Sequence, residues 1–273
     1  MERLKRAFED QLKAALLADG KVRVSTPTAR GRLAPGEAFS PVDILRADKV
    51  VYENEAERWL LQQWLPPRQQ LLASQLALPD NQNRFDDLCG RLTAEAVIPF
   101  VGAGMSRASG LPDWGGLLES LLERSTCRRA ALKALLRKAQ YEAAADLLHH
   151  HAVPVAFDEK LNHVCRVARE KLAGPILLLP DLFQKLLITT NFDRVLEDVY
   201  AEEGADIGQI FAGADMRSFQ VKRDNTRPQL LKLHGSYDDM ASRVFTSKEY
   251  EETYKAGGPL IRPAINYFST TYF

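Results

Sequence analysis

Three short apolar runs constrain this chain more than anything else in it. They are Ala96-Val97-Ile98-Pro99-Phe100-Val101, Leu186-Leu187-Ile188-Thr189-Thr190 and Leu230-Leu231-Lys232-Leu233. Each is too short for a helix and fits a buried strand. Residues 115–172 between the first two read as helix almost throughout, and a helix through Val195, Leu196 and Val199 comes after the second. Strands alternating with helices predict an α/β layer on a parallel sheet. In such a sheet the carboxyl ends of the strands share one edge, and that edge is where ligands bind.

The residues just past each run therefore matter most. The first runs into Gly102-Ala103-Gly104-Met105-Ser106. Glycines let a ligand approach the backbone, and a helix starting at Ser106 would offer free N–H groups to phosphate. Arg107 stands where the dinucleotide fingerprint has its third glycine, so the same residues also fit a plain strand-to-helix turn. The second run ends in Thr190-Asn191-Phe192-Asp193, where Asn191 and Asp193 can hold a ligand or cap the next helix. The third ends in His234-Gly235-Ser236. His234 fits a general base near neutral pH and also a structural histidine.

Together with Gly110-Leu111-Pro112-Asp113-Trp114, these segments resemble, in order and spacing, the sirtuin family. Within it they are most similar to the sirtuin-like NAD hydrolases of bacterial antiphage defence. The resemblance covers about residues 86–273. It implies an α/β, sirtuin-like Rossmann sheet with a helical insert at about 115–185, and leaves residues 1–80 as a mostly helical accessory region. It implies that NAD is the substrate and that no metal is needed. Gly102, Ala103, Gly104 and Ser106 would hold the pyrophosphate, and Pro112, Asp113 and Trp114 would cover the nicotinamide side. Thr190 would join the NAD-binding set. Asn191 and Asp193 would act on the nicotinamide ribose, and His234 would be the base. The activity implied is hydrolysis of NAD to ADP-ribose and nicotinamide by a defence effector. A nucleotide sensor without turnover and an ADP-ribosyltransferase are the alternatives.

Two departures from the family pattern shape that expectation. Sirtuin deacylases carry two cysteine pairs after the His-Gly turn, whereas no cysteine here follows Cys165, and Gly115 stands where deacylases usually have arginine. Both lean away from deacylation. The chain also stops at Phe273, soon after Pro259-Leu260-Ile261-Arg262, where the family continues into another strand and a Gly-Ser loop. The resemblance thus implies missing C-terminal strands.

The remaining features are plainer. Lys plus Arg and Asp plus Glu are both 36, so no global basic field favours nucleic acid or an anionic membrane. Cys89, Cys127 and Cys165 form no CxxC pair, which suggests reduced thiols and a cytoplasmic protein. No apolar stretch is long enough to span a bilayer, and the charged N-terminus does not read as a secretory signal. Residues 2–19 predict an amphipathic helix stopped by Gly20, residues 20–50 a loop with a short hairpin, and residues 53–78 a helix broken at Pro66-Pro67. Trp59 and Trp64 read as core or subunit interface. A homo-oligomer or a partner protein of a defence system is expected, because effectors of the family it resembles are often held off by one. His149-His150-His151 ends a helical run, with adjacent rings that point around the helix rather than at one ion. The basic residues from Arg124 to Lys138 read as a solvated helix face, with a nucleic-acid or partner contact as the alternative.

Overall fold

The computed structural model describes residues 2–14, 22–23, 38–39, 41–213, 216, 219 and 226–255. Gly20, the Pro259–Arg262 segment and Phe273 lie outside the described residues. The chain divides into two compact units, Met1–Cys89 and Gly90–Phe273.

In the first unit, α1 (Glu2–Ala14) is followed by β1 (Val22–Arg23) and β2 (Ala38–Phe39), an antiparallel pair. The expected loop ends earlier than the sequence suggested, because α2 (Pro41–Ala47) and α3 (Lys49–Trp59) are already helical. Pro41 has its φ preset for a first helical turn, and Asp48 caps α3 by accepting from the Val50 and Val51 amides. Pro66-Pro67 does not break the next helix. A π-helical turn, Leu60–Trp64, leads into α4 (Leu65–Leu76), and the prolines fall in its first turn, where the lost N–H groups need no partner. Phe8, Tyr52, Ala56 and Trp59 form this unit's core, with Trp64 packed against it. Beside them buried Glu9 accepts from Tyr52 Oη at 2.9 Å and from two Arg46 nitrogens at 2.9 and 2.7 Å. Helix α5 (Asn81–Thr93) comes next.

The second unit is built on four parallel strands: β3 (Phe100–Val101), β4 (Leu186–Thr189), β5 (Gln209–Ala212) and β6 (Gln229–Lys232). Their spatial order is β3-β4-β6-β5. The expected α/β class and parallel sheet are present. The first run contributes only its last two residues to the ladder, and β5 adds a strand that no apolar run announced. Along the central strands the side chains alternate. Leu187 and Leu230 pack with Val101, Val195 and Tyr200 on one face, and Leu186, Ile188 and Leu231 pack with Phe211 on the other. Both faces are covered, which is why the runs read as continuously apolar.

Between β3 and β4 lie α6 (Trp114–Leu121), α7 (Arg129–Arg137), α8 (Tyr141–His150), α9 (Pro154–Cys165) and the short α10 (Leu179–Leu182). Leu118, Leu121, Leu132, Leu148 and Leu161 are fully buried among them. The basic side chains from Arg124 to Lys138 are exposed. His149 packs edge-on against Phe157, and among the described residues no group of three or more metal-type side chains is placed to hold an ion. Helix α11 (Val195–Glu202) follows β4, and α12 (Ser247–Tyr254) follows β6. No helix among the described residues is long and apolar enough to cross a membrane.

Candidate functional site

The register aligns the ends of the three neighbouring strands. Val101 lies opposite Thr189, and Thr189 opposite Lys232. Gly102, Thr190 and Leu233 therefore leave the sheet at one edge, and a pocket of about 650 Å3, its mouth included, opens there. Ala103 borders it from the first strand end; Thr190, Asn191, Phe192 and Asp193 from the second; His234 from the third. Pro112, Asp113 and Trp114 close one side, and Tyr250 of α12 another. All three residues expected to be catalytic meet here, as do five of those expected to bind NAD. Gly102, Gly104 and Ser106 do not line it.

Ser106 instead lies beneath. It is 1% exposed, and its Oγ accepts from Asn191 Nδ2 at 3.2 Å and bonds to the Asp193 carboxyl. The expected α-helix at Ser106 is a 3-10 helix spanning Ala103–Ser109, ended by Gly110 at φ 88°. Pro112 follows so closely that the segment cannot extend. A Cβ built on Gly102 or Gly104 meets nothing within 4 Å, and neither residue has a positive φ. The protein's own packing does not demand glycine at either position, so open space lies above this backbone.

Asn191 is not a helix cap. Its backbone N–H donates to Thr189 Oγ1 at 3.0 Å, and Thr189 Oγ1 donates to the Val101 carbonyl at 2.8 Å. The loop after β4 is thereby pinned to β3. Asp193 stands one residue ahead of Arg194, the N-cap of α11, and its carboxylate accepts from the Val195 amide at 3.0 Å. Burial pushes its carboxyl above the usual range, against the lowering effect of that amide, of Lys232 and of Ser106. Lys232 is 1% exposed, and its Nζ donates to the Asp193 carbonyl at 2.6 Å and to Glu197 Oε1 at 2.8 Å. Nothing in the sequence marked this pair beyond a lysine interrupting an apolar strand.

His234 is held by a tight turn. Gly235 has φ 75°, and a Cβ there would lie 2.3 Å from the Ser242 carbonyl oxygen. Only glycine fits. The imidazole is pushed down to about 4, chiefly by burial, while a bond to the Thr190 backbone opposes that. It is neutral at pH 7. Two tyrosines that sequence reasoning missed flank it: Tyr254 Oη is 2.7 Å from Nε2, and Tyr250 packs edge-on at 4.9 Å. Burial pushes both phenols up to about 12, so both hydroxyls keep their protons. The only hint was their i, i+4 spacing on an amphipathic segment. Helix α12 is fixed by a capping box between Thr246 and Glu249, and by Asp146 of α8, which accepts from the Ser247 amide at 2.8 Å.

Asp113 caps α6 through the Gly116 amide at 2.9 Å and pairs with Arg107 at 3.1 Å. Trp114 packs on Phe192 and Phe245 at 5.6 and 5.4 Å. The pocket thus has an aromatic wall, a polar floor and a neutral imidazole. That set can seat a planar ring, orient a hydroxyl or water, and accept a proton.

Residues 185–272 match the SIR2-like domain family. The match supports the sirtuin likeness seen in the motifs and takes in β4, β5, β6, α11 and α12, while the glycine turn after β3 lies outside it. SIR2-like domains use NAD. No curated protein matches the chain.

Proposed function

From the SIR2-like match we propose that residues 86–273 are a catalytic domain that hydrolyses NAD to ADP-ribose and nicotinamide. We propose further that the chain is a cytoplasmic, NAD-depleting effector of antiphage defence, with residues 1–80 as its accessory region. The observation that carries the reading is the meeting of Asn191, Asp193 and neutral His234 in one pocket at the ends of three adjacent strands. A module that only bound a nucleotide would need no such base.

In the reaction the bond between the ribose C1′ and the nicotinamide nitrogen breaks. Its electron pair leaves with nicotinamide, and water supplies the new C1′–O bond. Positive character builds on the sugar as the bond opens. Asn191, held by Ser106, orients the ribose or the water, and Asp193 supplies a carboxyl beside the sugar. His234 takes the proton released from the water or from a ribose hydroxyl. The Tyr254 hydroxyl is now the partner of Nε2, so a proton passing to that nitrogen must replace it. Trp114 and Phe192 offer apolar faces to the nicotinamide side. The open backbone at Gly102 and Gly104 admits the pyrophosphate.

The purified chain incubated with NAD is expected to release nicotinamide, measured by chromatography. Asn191→Ala is expected to bind NAD with nearly unchanged affinity and to cleave it about a hundredfold more slowly, because misplacing a reacting group costs rate more than binding. A parent that binds NAD and never releases nicotinamide is a sensor, and the hydrolase reading is then wrong.

The glycine turn gives a separate check. Gly102→Val and Gly104→Val meet no protein atom with their first side-chain carbon, so melting temperatures should shift by no more than ~1 kcal/mol of stability permits. Titration calorimetry should find NAD affinity at least tenfold weaker. Unaltered affinity in both variants would place the pyrophosphate elsewhere.

A further inference from the structure

Helix α7 and the residues leading into it carry charge of one sign. Arg124, Arg128, Arg129, Lys133, Arg137 and Lys138 are all exposed, and no aspartate or glutamate stands among them. Arg129, Lys133 and Arg137 recur every four residues, so they form one ridge about 12 Å long on the outward side of α7. The inward side is Leu132, fully buried, with Leu135 and Leu136 packed on the core. Nearby acids are engaged elsewhere. Glu123 feels Arg124 and Arg129, yet its ion pair is with Lys160 at 2.7 Å. On α8, Asp146 bonds to Ser247, and Glu142 lies close enough to Tyr250 to raise its phenol. Arg128, Lys133, Arg137 and Lys138 form no ion pair or side-chain hydrogen bond among the described residues. This arrangement works against the helix itself. The N-cap is Arg128, which makes no side-chain cap, and no acid stands in the first turn. Cations at a helix start oppose the macrodipole, and like charges four residues apart repel. A local rule broken with no compensating bond in the fold marks a surface kept for function.

We propose that this ridge binds the phosphate backbone of double-stranded DNA without reading its sequence. Duplex DNA carries one negative charge per about 1.7 Å of axis, and a row of cations laid along it releases its condensed counterions. Arginine adds the planar fork that pairs with phosphate oxygens, and four of the six cations are arginines. Between the cations the outward side of α7 holds only Ala130 and Ala134, whose small side chains let a duplex come close. No hydroxyl or amide side chain on α7 is there to engage a 2′-OH, and no aromatic ring to stack an unpaired base, so RNA and single strands fit less well. An anionic membrane also fits less well. A helix lying on a membrane sets large apolar side chains beside its cations, whereas all three leucines of α7 turn inward. The proposal does not depend on what the His234 pocket binds.

The test is fluorescence anisotropy of a labelled DNA duplex of about 20 base pairs, titrated with the full chain at salt from about 50 to 200 mM. The parent is expected to bind with a Kd of roughly 10⁻⁴–10⁻⁶ M near physiological salt and more tightly below it. Arg128→Gln combined with Lys133→Gln and Arg137→Gln is expected to weaken binding at least about tenfold at the lowest salt. It should also flatten the slope of log K against log salt by about 0.9 for each cation removed. Its melting temperature should be no lower than the parent's, because repelling charges have gone, whereas a structural role for them would lower it. Lys133→Gln alone should flatten the slope by about a third as much, and serves if the triple variant folds poorly. No anisotropy change at about 100 μM chain and the lowest salt would overturn the proposal. So would the parental slope in both variants, which would put DNA on another surface. A single strand of the same length bound more tightly than the duplex, or phosphatidylserine vesicles bound through these residues in place of DNA, would replace the partner and overturn it too.

Discussion

Replacing His234 with alanine is expected to slow nicotinamide release by about 10²–10⁴-fold, the usual worth of a positioned acid–base group. NAD affinity should change only a few-fold, because the imidazole is one of many contacts in the pocket. The pH profile separates a base from a structural histidine. Its neighbours are the Tyr250 and Tyr254 hydroxyls and the Thr190 carbonyl, with Asp193 elsewhere on the same pocket wall. With the imidazole pushed down to about 4, its basic form persists far below the usual histidine range. The acid limb of kcat/KM is expected near pH 4 instead of near 6.5. Stability moves in a related way. Between pH 6.5 and 4 the unfolded chain has taken up this proton and the folded one has not. The contribution is intact above pH 6.5 and is lost as pH falls toward 4. Asp193 acts with the opposite sign, since burial raises its carboxyl: its contribution is present below pH 3.8 and lost as pH rises. Melting curves of the parent and of His234→Ala should therefore differ in the first window. A variant that cleaves NAD at the parental rate would remove His234 from the chemistry.

Lys232→Ala is expected to destabilise the second unit by about 3–5 kcal/mol, because it strands the Glu197 carboxylate in a buried site without its counter-charge. The pair is already short of partners: Glu197 Oε2 has none among the described residues. For a unit of this size the melting temperature should fall by roughly 6–20 °C. Lys232→Met combined with Glu197→Leu should recover most of the loss, since two apolar side chains of similar volume replace a buried ion pair at little cost. The double variant still lacks the ammonium that holds the Asp193 carbonyl, so recovered stability without recovered turnover would assign Lys232 to positioning the Asn191–Asp193 loop. A Lys232→Ala chain that melts within ~1 kcal/mol of the parent would show that the pair is not closed in solution.

The strands were legible where both sheet faces are covered. Leu186 to Ile188 and Leu230–Leu231 must be apolar on every residue, so length alone marked them as strands. β5 was not legible for the opposite reason: it is an edge strand, with Gln209 and Ile210 exposed, and leaves no run to detect. The glycine turn was read correctly as a turn and incorrectly as the start of an α-helix. Ser106 looked like a helix start in sequence, whereas its hydroxyl turns inward to Asn191, a partner 85 residues away. The two tyrosines beside His234 depend on where α12 docks, and the capping box says only that a helix begins at Ser247. Pairings of this kind are fixed by tertiary packing, which local patterns do not encode.

The bonds that assemble the pocket also set when it can exist. Thr189 reaches back 88 residues to Val101, Asn191 85 residues to Ser106, and Ser247 101 residues to Asp146. Contacts this remote in sequence close slowly, since the intervening chain must first be gathered. A nascent chain leaving the ribosome has made the glycine turn and helices α6 to α10 before the histidine turn has been synthesised. A translation product cut short before residue 234 has the floor of the pocket and no imidazole. The pocket cannot close until synthesis has passed α12, so the order of translation itself sets the earliest moment at which a ligand could be held there.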